Sequence, residues 1–242
     1  MKKLIWTDKL TKKLWQYYSR NPKYYFSYKY RNEIIATFKR FMKDSKTILD
    51  YGAGKGALTE KLLSIGKNVA CVEFDSKKIV ELNRKFGKYR NFLGAYTIDK
   101  LIKQQMKFDA IFLIEVIEHL SNKYLNDTFR DIKKIINPNN KIIITTPNDE
   151  DLNEQMVYCP VTDFVFHKYQ HVRSWNRDSL EKYLNRTGIN IVYLSTKDFH
   201  LKRLRKILTK VKNFIKLYIL FRKDLLYKYP QLICVGRYTN KK

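Results

Sequence analysis

Between residues 48 and 63 the sequence reads ILDYGAGKGALTEKLL: β-formers, an acid, three glycines at spacing two, then a helical pattern. A glycine-rich turn between strand and helix lets the main chain approach a ligand with no Cβ in the way. Such turns hold anionic or nucleotide-like groups, although some exist for conformational reasons alone. The turn Asp50-Tyr51-Gly52-Ala53-Gly54-Lys55-Gly56 has the spacing G-x-G-x-G, not the G-x-G-x-x-G of a dinucleotide site. A second strand ends in CVEFD and places Glu73 seventeen residues beyond Gly56. A carboxylate there accepts from both hydroxyls of a ribose, each charge-assisted bond contributing about 1.5–3 kcal/mol. Phe74 beside it offers a face to an adenine. Further on, FDAIFLIEVIEHL carries Glu115, Glu118 and His119 where an apolar strand runs into a polar turn. Carboxylates beside an imidazole cap the next helix, move a proton, or hold a divalent cation.

These residues need a scaffold that gathers strand ends. From residue 47 the chain alternates: strand TILDYG, helix ALTEKLLSIG closed by Gly66, strand NVACVEFD, helix SKKIVELNRKF begun by Ser76 and ended near Gly87. A weak strand at RNFLGAY, a short helix near 98–106, the strand FDAIFLI and the helix NKYLNDTFRDIKKII follow. NPNN stops that helix, since Asn tolerates a left-handed turn. The strand KIIITTPN, a loop of about twenty residues, the helix NRDSLEKYLNRTG and the strands INIVYLS and PQLICVGRY complete the order. Strands apolar on both faces and separated by helices predict a doubly wound, Rossmann-like α/β sheet of seven strands. Its ligands belong at the carboxyl ends of the strands, where strand order reverses. Residues 1–46 precede that 47–242 domain as a helical cover rich in Trp and Tyr, ending in the amphipathic NEIIATFKRFM.

The 242 residues are 44% hydrophobic, enough for a real core. No stretch approaches the ~18 apolar residues of a membrane span, and MKKLIWTDKL has too few apolar residues for a secretory signal. Cys71, Cys159 and Cys234 have neither metal nor disulfide spacing, so a cytoplasmic protein is expected. The net charge is +26, from 49 Lys+Arg against 23 Asp+Glu. Such a field favours polyanions, while a chain rich in Lys, Asn, Ile, Tyr and Phe also gains charge from A+T-rich coding alone. The charge concentrates in 200–228, a basic insertion before the last strand in which Asp224 is the single acid. Apolar positions 201, 204, 208, 211, 215 and 218 recur there at helical spacing. One greasy and one cationic face suit an anionic membrane leaflet, at about 1 kcal/mol per basic residue, or RNA phosphates. The apolar stripe would equally cover the sheet or a partner subunit.

In their order along the chain, ILDYGAGKG, CVEFD, FDAIFLIEVIEHL, NPNNKIIITTPN and HVRSWNRDSLEKYL resemble the class I S-adenosylmethionine-dependent methyltransferases. The resemblance implies that Asp50, Gly52, Gly54 and Gly56, with Ala53 among them, shape the pocket for the methionine part of S-adenosylmethionine. Glu73 would hold its ribose, and the backbone at Ile114 and Glu115 would close over the methionine end. Many relatives carry an acid after the third strand for the adenine amino group, where this chain has Tyr96 and Thr97. The family fold would also bring His171 to the edge that carries Glu115, Glu118 and His119. A histidine of ordinary pKa suits removal of a proton from a hydroxyl acceptor, so His119 or His171, with Glu118, is a candidate base. The E-x-x-E-H pattern is similar to that of ubiquinone-pathway and small-RNA 2′-O-methyltransferases, in which it binds a metal. That similarity makes Glu115, Glu118, His119 and His171 candidate ligands of a divalent ion.

The loop HVRSW and the aromatic front end LWQYYSRNPKYYF look more like bacterial methyltransferases of surface-glycan and related small-molecule pathways. They imply O-methylation, or less readily N-methylation, of a sugar or other small acceptor under an aromatic lid. The alternative is a metal-dependent small-RNA 2′-O-methyltransferase. It gains from the charge and from TPNDEDLN, and it lacks the acid-and-aromatic signature expected in the HVRSW loop.

Overall fold

The structure, a computed structural model, describes residues 2–199 and 230–238. The basic stretch expected over 200–228 lies outside the described residues. In chain order the elements are β1 (Lys2–Lys3), α1 (Asp8–Ser19), α2 (Phe26–Phe38), β2 (Thr47–Tyr51), α3 (Ala57–Ser64), β3 (Asn68–Val72) and α4 (Ser76–Phe86). There follow β4 (Phe92–Tyr96), α5 (Ile98–Lys103), β5 (Phe108–Ile114), α6 (Asn122–Ile135) and β6 (Ile136–Pro147). Last come β7 (Met156–Cys159), β8 (Phe164–His167), α7 (Arg177–Arg186), β9 (Ile189–Lys197) and β10 (Gln231–Tyr238).

Seven strands form the main sheet in the order β4-β3-β2-β5-β6-β10-β9. Every pair is parallel except those made by β10, which runs antiparallel between β6 and β9. The period-two geometry of a strand sends alternate residues to opposite faces. Ile48, Val69, Cys71, Ala110, Phe112, Ile143 and Val235 therefore meet α2, α3 and α4 on one side. Leu49, Ala70, Val72, Ile111, Leu113, Ile144 and Cys234 meet α5, α6 and α7 on the other. This three-layer arrangement is the predicted doubly wound sheet. Strand order reverses between β2 and β5, so their carboxyl ends open the crevice where ligands collect in such folds. Among the described residues no helix is long and apolar enough to cross a membrane.

The local differences from the sequence reading have physical causes. The loop expected before α7 contains the hairpin β7–β8, to which the two-residue β1 adds in parallel as a third strand. Helix α2 begins at Phe26, ahead of the NEIIATFKRFM pattern, and its Tyr30, Ile34 and Phe38 belong to the same core as the sheet. Helix α4 begins at Ser76 as expected, and the residue before it, Asp75, caps it by accepting from the Lys77 N–H. NPNN does not end a helix in a separate loop, because β6 starts at Ile136 and runs through it, with Asn139 at φ 64° supplying the left-handed step.

Candidate functional site

The turn after β2 has Gly52, Gly54 and Gly56 at φ 76°, 57° and 71°, a region that side chains with a Cβ enter at a cost. It is pinned to the next strand by the Gly52 N–H, which donates to the Val72 carbonyl at 2.9 Å. Each glycine also leaves room for a neighbour. A Cβ on Gly52 would lie 2.9 Å from Val116 Cγ2, and one on Gly54 would lie 2.9 Å from Tyr25 Cε1. Glu73 reaches back to this turn, and its buried carboxylate accepts the Gly54 N–H through Oε1. Burial is the largest influence on its pKa and raises it, while the Lys78 ammonium and the Gly54 and Phe74 N–H groups pull the other way. Lys78 is itself 5% exposed. Its ammonium sits 5.9 Å from the ring centroids of Trp15 and Tyr25 and 5.8 Å from that of Phe74. Phe74 is exposed at the strand end, where its ring is free to lie against a flat ligand. Beside Gly54, between the end of α1 and α4, a cavity of about 460 Å³ is lined by Ser19, Arg20, Lys55, Glu81 and Lys85.

Two residues expected to shape the cofactor pocket, Asp50 and Ala53, have buried side chains. Ala53 belongs to the same core cluster as Leu58 and Ala95. Asp50 is buried beneath the turn, where its Oδ2 accepts the Thr59 hydroxyl at 2.6 Å and so braces the start of α3. Tyr96 turns its hydroxyl onto the Leu93 carbonyl at 2.7 Å, while Thr97 beside it is exposed.

Burial without a cation raises the Asp50 carboxyl from 3.8 to about 6. An acid that binds its proton more tightly when folded favours the native state below its unfolded pKa. That contribution is lost as pH climbs through the interval from 3.8 to about 6. The loss amounts to about 3 kcal/mol across the interval. Urea unfolding at a series of pH values should show this slope in the native chain and its absence in Asp50→Asn, and equal slopes would refute the assignment.

At the end of β5, Glu115 is at φ 53°, and Asp149 and Gln170 also have positive φ, at 54° and 62°. Backbone strain of this kind persists where the surroundings over-determine it, and here it gathers around one cluster. Glu115 accepts the Thr145 hydroxyl at 2.7 Å, and its pKa is pushed up to about 8, chiefly by burial and then by Glu150. Glu118 accepts the Thr146 hydroxyl at 3.0 Å through Oε2, while its buried Oε1 has no hydrogen-bond partner. His119 Nε2 lies 3.7 Å from that Oε1, and its Nδ1 faces the Gln170 carbonyl at 3.4 Å. His171 joins from the following loop, with ring centroids 4.8 Å from His119.

Among the described residues, Glu118, His119 and His171 each offer a ligating atom within 4.8 Å of the others. Glu115, expected as a fourth ligand, is not part of this group and accepts the Thr145 hydroxyl beside it. The sequence reading passed over Glu150 and His167. Glu150 Oε2 pairs with His171 Nδ1, and its Oε1 lies 3.6 Å from His167 Nε2. These imidazoles hold the Glu150 carboxyl at about 2 against the opposing effect of burial. Gln170 was also missed, and its amide donates to the His119 carbonyl at 2.9 Å.

The front-end aromatics roof both halves. Trp15 Nε1 donates to Gln170 Oε1 at 3.0 Å, and the Trp15 ring stands edge-on to His119 with centroids 4.9 Å apart. Tyr18 donates to the Lys168 carbonyl at 2.6 Å, while Gln16 and Lys12 hold Asp75 at 3.2 and 3.1 Å. Helix α1 is thereby tied to the β3 end on one flank and to the histidine loop on the other. Arg173 fixes that loop by donating to the Leu120 carbonyl and to Asn122 Oδ1.

A family described as "Methyltransferase domain" matches residues 24–194. The chain is similar to a ubiquinone biosynthesis O-methyltransferase of Pelagibacter ubique, 27% identical over 124 residues, which cover 49% of this chain and 50% of that protein. It is also similar to a ribosomal RNA small subunit methyltransferase of Arabidopsis thaliana, 40% identical over 73 residues, which cover 29% of this chain and 21% of that one. The chain thus spans half or less of the length of these curated relatives. Among solved structures it shares its fold with a Burkholderia thailandensis 1,6-didemethyltoxoflavin-N1-methyltransferase holding S-adenosylhomocysteine. That likeness has TM-score 0.67 and 12% identity, over 99% of this chain and 94% of the other.

Proposed function

The chain belongs to the methyltransferase-domain family, and we propose that it moves a methyl group from S-adenosylmethionine to a hydroxyl of a small acceptor, a sugar or related intermediate of surface-glycan biosynthesis. The observation that carries this reading is one edge of the sheet. There a glycine turn gripped by a buried acid stands beside a cluster of carboxylates and imidazoles, under one aromatic roof. When bound, the cofactor supplies a methyl already activated by its sulfonium charge. The chain supplies placement and proton transfer. Glu73 accepts from the ribose hydroxyls, and the turn lets main chain lie against the methionine part. Trp15 and Tyr25 exclude water and present flat faces to the acceptor. His171, whose Nδ1 faces Glu150, takes the hydroxyl proton on its other nitrogen.

A second reading rests on the orphaned Oε1 of Glu118 facing His119 Nε2. Two lone-pair atoms that converge with no donor between them suit a divalent cation, which Glu118, His119 and His171 would hold. Such an ion would lower the pKa of an acceptor hydroxyl. An RNA acceptor draws support from the net charge and from the partial likeness to a ribosomal RNA methyltransferase.

The test is transfer of a deuterated methyl group, followed by mass spectrometry, to a catechol, a nucleotide sugar and total small RNA, each with and without EDTA. Labelling of the catechol or the sugar is expected. Labelling confined to RNA would overturn the preference, and loss of labelling with EDTA would select the metal reading.

A further inference from the structure

Glu150 and His167 have no part so far in binding or in proton transfer, yet both are buried, at 8% and 3% exposure. Their hydrogen bonds fix where the protons sit. The backbone N–H of His171 donates to His167 Nδ1 at 3.1 Å, so that nitrogen carries a lone pair. The ring proton of neutral His167 must then be on Nε2, which faces Glu150 Oε1 at 3.6 Å. The other carboxylate oxygen meets His171 Nδ1. A carboxylate accepts only, so His171 Nδ1 is the donor and its Nε2 keeps the lone pair. The His167 and His171 rings stack with centroids 4.6 Å apart and planes 23° apart, which resists rotation of either ring.

The same logic decides what this group is not. Glu150, His167 and His171 also bring ligating atoms within 4.8 Å of one another. A ring nitrogen that bears a proton cannot bind a metal, and His167 has spent its lone pair on the His171 backbone. The triad is therefore a support for His171 and not an ion site.

We infer that Glu150 and His167 are positioning residues that lock His171 in the tautomer protonated at Nδ1, so that Nε2 meets the acceptor ready to take a proton. Glu150 does this directly, and His167 does it by holding both Glu150 and the His171 backbone. The inference rests on the proposed role of His171, and it deepens that role by naming what prepares it. Outer partners of this kind typically set activity by 10- to 100-fold.

The experiment uses the full chain, labelled with ¹⁵N and saturated with S-adenosylhomocysteine, and reads histidine tautomers by long-range ¹H–¹⁵N correlation. Native His171 should show protonated Nδ1 and bare Nε2, and His167 the opposite. In Glu150→Ala, His171 should revert to the Nε2-protonated form that free imidazole side chains prefer. Glu150→Gln, which keeps a carbonyl acceptor, should restore the native pattern in part. A native His171 protonated at Nε2 would overturn the inference even if no variant folds, as would a Glu150→Ala spectrum unchanged at His171. Because this readout needs no acceptor, a native Nδ1-protonated His171 in a chain that methylates none of the tested compounds would defeat the acceptor reading and leave the relay standing.

Discussion

Replacing Glu73 with Gln should weaken binding of S-adenosylhomocysteine by ten- to a hundredfold, measured by titration calorimetry at pH 7.5. The carboxylate is buried, and one oxygen is occupied by the Gly54 N–H. A ribose would bring two hydroxyl donors to the remaining acceptor capacity. Each charge-assisted bond contributes about 1.5–3 kcal/mol, and a neutral amide keeps the shape but forfeits the charge. A loss of about 1.4 kcal/mol is tenfold in affinity, so losing the equivalent of one such bond spans the stated range. The sign of the pH dependence follows from the same burial. Glu73 takes up a proton above the ordinary carboxylate range, and the ribose needs its ionised form. Affinity of the native chain should therefore decline toward acid at a pH where an exposed glutamate would still be charged, while Glu73→Gln should stay flat. Lys78→Met removes the cation that opposes this shift, and should move the decline to higher pH. If Glu73→Gln binds within twofold of the native chain, the ribose assignment is wrong.

The glycine turn and Glu73 were legible because each is a local signal attached to a strand end, and the strands announce themselves. FDAIFLI and KIIITT are apolar on both faces, as only strands covered by helices on each side need to be. Glu118, His119 and His171 could be named from the pattern, but their partners could not. Glu150 sits in NDEDLN, which reads as a solvated loop, and nothing local marks one acid among three as buried. His167 ends β8, a four-residue strand whose partner β7 exposes Val157 and Tyr158. Strands so short and so little buried leave no alternation to detect, and their third strand is two lysines. The Glu150–His171 contact bridges 21 positions and depends on that hidden hairpin and on the Arg173 anchor. Asp50 illustrates the converse. The motif marks it as important, while only packing reveals that it works through Thr59 from below the turn.

The same dependence on packing distinguishes two glycines that look alike in sequence. Gly56 and Gly66 both have positive φ, at 71° and 80°, so alanine at either should pay the left-handed penalty of about 1–2 kcal/mol. Around Gly66 an added Cβ would meet nothing within 4 Å. At Gly56 it would lie 2.4 Å from Phe86 Cε2 and 2.8 Å from Leu82 Cδ2. Neither can step aside. Phe86 and Leu82 are fully buried anchors of α4, and the Phe86 ring is wedged against Phe92 at a centroid distance of 5.5 Å. Overpacking such a site typically adds about 1–3 kcal/mol. Gly56→Ala should therefore lose about 2–5 kcal/mol in urea unfolding, and Gly66→Ala about 1–2. For a chain of this size a loss of about 5 kcal/mol corresponds to a melting temperature lower by about 10–20 °C. The damage should also spread to the ligand. Leu82 and Phe86 set the height of α4 under the turn, and Lys78 on the same helix faces Glu73. Folded Gly56→Ala should thus bind S-adenosylhomocysteine at least tenfold more weakly, while Gly66→Ala binds normally. Equal losses of stability in the two variants would mean that the contact beneath Gly56 gives way, and that the third glycine is required by its backbone angle alone.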